Sequence, residues 1–223
     1  VPALHVLRVF VNEEGEWGNP LGVFLEGERV AVSDRQRVAA ELGFSETVFV
    51  DDPAAGRLGI YTPRVELPFA GHPAVGTAWL LAREGAPVEA LRPPAGRVEV
   101  RYADGLTYVA AEPGWAPRFE YRQLGSPAEV RGLSASAQDA NVFAWAWIDE
   151  SAGTIRARSF VPEAGIAEDE ATGSAAIALC ARLDRAITIH QGHGSVLACR
   201  PLPDGRVEVG GKVALDEVKP GRC

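Results

Sequence analysis

The stretch Glu66-Leu67-Pro68-Phe69-Ala70-Gly71-His72-Pro73-Ala74-Val75-Gly76-Thr77-Ala78-Trp79-Leu80-Leu81 decides how this chain is read. A turn of short residues, Ala70-Gly71-His72, runs into Pro73 and then into an apolar segment that reads as a helix to about Arg83. Proline suits the first helical position, where the N–H it lacks would have had no partner. The segment is apolar nearly all round, so the helix it predicts is central rather than superficial. Its first N–H groups then open inside the protein beside a histidine. Such groups, with the helix dipole behind them, attract a carboxylate or a phosphate. A buried helix with a tight glycine entry turn accounts for the same residues, and this stretch alone leaves both readings open.

A second stretch has the same build. Ala167-Glu168-Asp169-Glu170-Ala171-Thr172-Gly173-Ser174 leads into Ala175-Ala176-Ile177-Ala178-Leu179-Cys180-Ala181, again a turn feeding an apolar helix. Two buried helices with such entries suggest an internal duplication whose helix N-termini share one cleft.

Composition narrows the classes. At 223 residues the chain has room for one large domain or for two of about a hundred residues each. An apolar fraction of 47 % beside 23 % charged is that of a soluble globular protein. No apolar run nears the roughly 18 residues that cross a bilayer, and no signal peptide is visible, which makes the cytoplasm the default compartment. The net charge of −8 argues against a nucleic-acid footprint. Three cysteines without a CxxC pattern (Cys180, Cys199 and Cys223) argue against a disulfide framework or a zinc site. Lysine occurs only at positions 212 and 219, poor placements for a Schiff base with pyridoxal phosphate. His5, His72, His190 and His193 lack metal-ligand spacing, and Gly192-His193-Gly194 has no dinucleotide fingerprint around it. Neither a metal nor an organic cofactor is expected.

In chain order, strands are predicted at His5–Val11, after the Gly18-Asn19-Pro20 turn, at Phe44–Val50 and at Leu58–Tyr61. A capping box at Ser33-Asp34-Arg35-Gln36 starts a helix that ends before Gly43. Hairpins surround Asp104-Gly105 and Asp204-Gly205. Pro113 to Pro127 reads as a linker, dividing the chain into units 1–112 and 113–223. Beyond it come a short helix from Ser126-Pro127, the strand Asn141–Ile148, a strand from Thr154 to Val161, the second turn-and-helix, and Ile187-Thr188-Ile189. Each half reads strands, turn, buried helix, strand, hairpin. The class is α+β: two similar domains, each a curled, mostly antiparallel sheet around a central helix. Phe143-Ala144-Trp145-Ala146-Trp147 offers an apolar face, for which burial in the core is the first expectation.

Taken singly, Glu46 fits a solvent-facing strand position, His72 a helix-entry contact, Asp169 a carboxylate favoured by the helix dipole, and Ser174 a helix cap rather than a GxSxG nucleophile. Taken together they supply a base in an apolar setting, a second carboxylate, a histidine and two anion-binding helix starts. That set suits proton abstraction from carbon beside a carboxylate.

Gly18-Asn19-Pro20, Gly43-Phe44-Ser45-Glu46-Thr47-Val48-Phe49, Glu66-Leu67-Pro68-Phe69-Ala70-Gly71-His72-Pro73 and Asp169-Glu170-Ala171-Thr172-Gly173-Ser174-Ala175 resemble the signature blocks of PhzF-like proteins, the phenazine-biosynthesis isomerase family. The resemblance implies the diaminopimelate-epimerase fold, with an active site between two similar domains. It further implies a homodimer and proton transfer on a small carboxylate substrate without cofactor or metal. By block matching, Glu46 is the catalytic base. His72 and Asp169 are its partners, while Asn19, Gly71, Thr172, Gly173 and Ser174 line the substrate site. Related epimerases and racemases place two thiols at the helix entries, where this chain has Ala70 and Ala171, so a two-thiol racemase is disfavoured. Other readings are an epimerase or racemase on the same fold and a non-catalytic small-ligand-binding or interaction protein. Three departures stand out against the family pattern. The second half is short, Glu170 replaces the usual proline and so loosens its turn, and Gln191–Val196 lacks an arginine-proline pair.

Overall fold

A computed structural model describes residues 2–221. The first half contains β1 (Leu4–Val11), β2 (Asn19–Phe24), α1 (Val32–Leu42), β3 (Glu46–Asp52), β4 (Arg57–Tyr61), β5 (Glu66–Leu67), α2 (Gly71–Arg83), β6 (Ala90–Leu91), β7 (Val98–Ala103) and β8 (Leu106–Ala111). The second contains β9 (Glu120–Gln123), α3 (Pro127–Arg131), β10 (Val142–Asp149), β11 (Thr154–Val161), β12 (Ile166–Asp169), α4 (Gly173–Leu183), β13 (Ile187–Gln191), β14 (Ser195–Pro201) and β15 (Val207–Lys219). Most strands form one continuous path, β5-β4-β3-β2-β1-β15-β14-β13-β11-β10-β9, while β12 joins at β11 and β6-β7-β8 join at β15. Neighbours are antiparallel except for β2 with β3, β11 with β13 and β10 with β9. The sheet is therefore mixed but mostly antiparallel, as the alternating patterns and the two Asp-Gly turns predict.

The path curls around two helices. α2 packs on β1, β2, β8 and β15, and α4 packs on β14 and β15. Gly71 to Ala78, Leu80 and Leu81 are all buried, so α2 is enclosed on nearly every side. In α4, Ala175, Ala176, Ile177, Leu179 and Cys180 face the same continuous core. A smaller apolar cluster of Leu4, Val6, Phe24, Val30, Ala39, Phe49 and Tyr61 lies on the other side of the first sheet with α1. Phe143, Ala144, Trp145 and Ala146 are buried, which settles the aromatic strand as core. Cys180 and Cys199 are buried free thiols, and Cys223 lies outside the described residues.

Four local expectations are corrected. α1 begins at Val32 with Ala31 at its cap and no side-chain cap bond, so Ser33 lies inside the helix and the capping box does not form. Arg35 instead turns inward, where its guanidinium meets Asp51 and the Val30 and Gly27 carbonyls. α2 begins at Gly71, two residues before Pro73, and proline is still tolerated because that first turn has no N–H bonds to lose. Ser174 is the second residue of α4, and Thr172 takes the cap position. The stretch from Pro113 to Pro127 is more than a linker. It contains β9, which pairs in parallel with β10, and it packs Trp115 and Phe119 onto the core.

β15 is longer than the Val207–Val209 strand expected. Its first residues lie between β8 and β14, and Lys212 to Lys219 pair with β1. No helix among the described residues is long and apolar enough to cross a membrane.

Candidate active site

The two helix starts meet. A Cβ placed on Gly71 would come within 2.9 Å of the Gly173 Cα, and one on Gly173 would lie 3.0 Å from the Gly71 Cα. No side chain fits between them, so glycine at both positions lets the N-termini of α2 and α4 abut. Their dipoles and free N–H groups then point into one region.

Around this junction the structure gathers residues from distant parts of the chain. Asn19 opens β2 and Glu46 opens the parallel neighbour β3, with Leu21 and Glu46 in register. Gly18, at φ +88°, makes the left-handed corner that turns Asn19 inward. Asn19 is only 2 % exposed, and its amide donates to Asp169 Oδ1 at 2.7 Å and to the Ala171 carbonyl at 2.9 Å. The same nitrogen lies 3.5 Å from His72 Nδ1. Ser45 donates to Asn19 Oδ1 at 3.2 Å, and Thr172 donates to Asp169 Oδ2 at 2.6 Å.

His72 Nε2 faces Glu46 Oε2 at 3.3 Å. The pair lies within salt-bridge distance but lacks hydrogen-bond geometry, and both atoms are buried without a hydrogen-bond partner among the described residues. A buried polar atom without a partner calls for an explanation, and a catalytic role is one.

Burial sets the protonation of these groups. Desolvation raises Glu46 to about 7, against a small opposing effect of the Ser45 hydroxyl. Asp169 is raised to about 6, first by desolvation and then by the negative charge of Glu46, with His72, Thr172 and Asn19 opposing. His72 is lowered to about 4 by desolvation, so its ring is neutral near pH 7. Two carboxyl groups held above the usual carboxylate range beside a neutral imidazole are able to exchange protons near neutral pH.

A cavity of about 470 Å³ opens onto this set, and Glu46, Asp169, Thr172 and Ser174 line it beside Phe69 and Trp115. A second cavity of about 610 Å³ shares Thr62, Arg64, Ile166 and Asp169 with the first. Arg64 is the only base among the residues lining either one.

The sequence pattern of the PhzC/PhzF family, described as phenazine biosynthesis-like protein, matches residues 7–145 and 131–203. The chain belongs to this isomerase family. Trans-2,3-dihydro-3-hydroxyanthranilate isomerase of Pseudomonas aeruginosa is 31 % identical over 220 residues, covering 81 % of this chain and 79 % of that protein. An uncharacterized isomerase of Pasteurella multocida is 41 % identical over 86 residues, but the match spans only 37 % of this chain and 29 % of the relative's length. A PhzC/PhzF protein of Clostridium difficile has the same fold, with a TM-score of 0.83 at 19 % identity over the full length of both chains. A hydroxyproline epimerase of Agrobacterium vitis, solved with trans-4-hydroxy-L-proline, shares the fold at a TM-score of 0.61 and 10 % identity, covering 97 % of this chain and 91 % of that one.

In this PhzF-family chain all eight site residues expected from sequence fall at or beside the helix junction. Asn19, Glu46, His72, Asp169 and Thr172 form one connected cluster. Gly71 and Gly173 form the backbone contact, and Ser174 lines the cavity. Sequence reasoning missed Gln191, which is fully buried at the end of β13. Its amide donates to the Asp169 carbonyl and to Thr172 Oγ1 at 3.0 Å each, and its oxygen accepts from the Thr172 N–H at 3.2 Å. The available signal was the alternation Ile187, Ile189, Gln191, which puts a polar residue on the inward face of a strand.

Proposed function

We propose that this protein is a cofactor-independent isomerase that moves a proton on a small carboxylate substrate, with Glu46 as the transferring group. The observation that carries this reading is the desolvated Glu46 carboxyl, set against His72 beside two abutting helix starts. As a carboxylate, Glu46 takes a proton from a carbon next to the substrate carboxylate. As the acid so formed, it returns that proton to another carbon, and no net proton is gained or lost. A group near pKa 7 serves both steps at neutral pH, whereas an ordinary glutamate is almost wholly ionised there. The N–H groups at Gly71-His72 and Gly173-Ser174 hold the substrate carboxylate as its charge spreads during proton removal. Asp169, braced by Asn19 and Thr172, and the neutral His72 hydrogen-bond the substrate from the two helix entries.

The thiols do not fit a racemase that uses two cysteines. Burial pushes Cys180 up to about 12 and raises Cys199, and both lie away from the helix entries held by Ala70 and Ala171. Such thiols remain protonated and unreactive.

Arg64 supplies the attraction that an anionic substrate needs in a cleft otherwise lined by Glu46, Glu163, Asp169, Glu168 and Glu170. Arg64→Gln is expected to raise KM for a turned-over carboxylate about tenfold with kcat nearly unchanged, and to reduce the salt dependence of kcat/KM. An unchanged KM removes Arg64 from substrate capture. The reaction itself is tested by incubating the protein in heavy water with cyclic and amino-acid carboxylates, trans-2,3-dihydro-3-hydroxyanthranilate first. Deuterium appearing at a carbon of one of them supports the isomerase, and inversion of a single enantiomer marks an epimerase. No incorporation into any member of the panel leaves a ligand-binding protein. The protein is further proposed to act as a cytoplasmic homodimer.

A further inference from the structure

Glu170 follows the catalytic candidate Asp169 directly, and its carboxylate is spent on a different part of the chain. The loop between β13 and β14 wraps around it. The His193 N–H donates to both Glu170 oxygens at 2.9 Å, the Gly194 N–H to Oε1 at 3.3 Å, and the Ser195 hydroxyl to Oε1 at 2.8 Å. The His193 ring adds a contact from Nδ1 to Oε2 at 2.8 Å. Gly192 makes room for this arrangement. It sits at φ +57°, and a Cβ there would come within 2.2 Å of Glu170 Oε2. The loop is therefore shaped to the carboxylate, whose side chain keeps only 17 % of its surface exposed.

The chain of bonds continues toward the site. Ser195 Oγ accepts from the Gly18 N–H at 3.0 Å, and Gly18 is the left-handed corner before Asn19. The Asn19 amide returns to Asp169 and Ala171, on either side of Glu170. Residues 169–171, 193–195 and 18–19 thus close a ring of hydrogen bonds that crosses between the two halves of the chain at Ser195–Gly18 and again at Asn19, with Glu170 holding Ser195 in place. Far from loosening its turn, Glu170 ties it down.

We propose that Glu170 is a positioning residue, which holds the Asp169 turn and the Gly18-Asn19 corner in register through Ser195. Calling Asp169 catalytic rests on the proton-transfer reading, whereas the hydrogen-bonded ring does not. A carboxylate accepting several N–H and O–H bonds is a strong anchor because charge-assisted bonds are roughly twice as strong as neutral ones. The bonds that Asn19 and Thr172 make to Asp169 favour its ionised form, so slackening the ring weakens them and makes Asp169 harder to ionise.

The test follows the Asp169 side-chain carboxyl resonance through a pH titration by carbon-13 NMR on the full chain. Glu170→Ala is expected to raise the Asp169 midpoint by about half a pH unit or more. Simple removal of a neighbouring negative charge would lower it, so the sign separates anchoring from electrostatics. Ser195→Ala cuts the link and leaves the charge in place, and it is expected to raise the midpoint as well. Glu170→Gln loses the charge but keeps one acceptor oxygen for the loop, so its rise should be smaller than that of Glu170→Ala. A lowered or unchanged midpoint in Glu170→Ala, or an unchanged one in Ser195→Ala, overturns the proposal, and Ser195→Ala decides if Glu170→Ala does not fold. Failure of the deuterium assay would instead strike the proton-transfer reading and leave the ring untouched.

Discussion

Glu46 shows how one residue's surroundings set its chemistry. It begins a strand whose next four residues, Thr47 to Val50, are fully buried, and the strand draws its carboxyl out of water. Its side chain retains 14 % exposure, enough to meet a ligand and too little to be fully hydrated. The sign of the effect on folding follows. Because the folded-state value lies near 7 and the ordinary one is 4.5, the folded protein holds a proton that the unfolded chain releases between them. The contribution to stability is therefore complete below about pH 4.5 and is lost as pH rises toward 7. Glu46→Gln removes this dependence. The variant is expected to be more stable than the parent by roughly 1–3 kcal/mol at pH 8 and about equal at pH 4, as urea midpoints at the two values would show. Asp169 adds to the dependence, because the Glu46 charge that helps to raise its carboxyl is absent from the variant. Equal gaps at both pH values would mean that Glu46 is not desolvated. At this scale the resemblance to the family's sequence blocks pointed to Glu46, His72, Asp169 and Asn19, whereas each residue taken singly reads as ordinary. The sequence did not carry Gln191 or the work of Glu170. Their partners at Thr172 and Ser195 lie 19 and 25 positions away, and only strand pairing brings them together.

Among elements, α2 and α4 are the organising pair. α2 was legible because a helix apolar on all faces has nowhere to sit but the interior. Its start was misplaced by two residues because proline is accepted anywhere in the first turn. The contact between the helix starts was not legible, since nothing in either stretch says that Gly71 and Gly173 touch. That contact makes a sharp prediction. Gly71→Ala puts a methyl group 2.9 Å from a backbone atom that cannot swing aside. Forcing extra volume into such a site costs about 1–3 kcal/mol, and here it also separates the two anion-binding helix starts. Thermal melts should show the loss, and carboxylate binding should weaken more than the melt alone accounts for. A parent-like melting temperature would mean that the helix starts have room to spare. β9 illustrates the opposite failure. Prolines and glycines near residue 115 read as a linker, but Glu120 to Gln123 add in parallel to the edge of β10, opposite Val142 to Trp145.

For the whole molecule, the consequential feature is β15. We propose that residues 1–112 and 113–223 are the two repeated units, and β15 laces them by pairing with β8 and β14 before crossing to β1. The core is likewise shared, with residues of α2 and α4 in one cluster. Units joined in this way have little independent stability. Urea unfolding is expected to be one transition, coincident by circular dichroism and by tryptophan fluorescence, with Trp79 reporting on the first unit and Trp145 on the second. Two separated transitions would show that the units fold independently. A midpoint that climbs with protein concentration would support the homodimer, and a constant one would favour a monomer. The duplicated order of elements was readable from the sequence. The crossing was not, because its hydrogen-bond partners in β1 lie some two hundred positions away.

The central claim, that Glu46 carries the proton between two carbons, is most directly tested by solvent deuterium exchange into a turned-over carboxylate, parent against Glu46→Gln. The substitution keeps size and hydrogen-bonding shape while removing the ability to hold the proton. It is expected to fold and bind substrate as the parent does and to lose exchange by on the order of a hundredfold or more. Exchange in Glu46→Gln at the parent's rate would show that another group is the base.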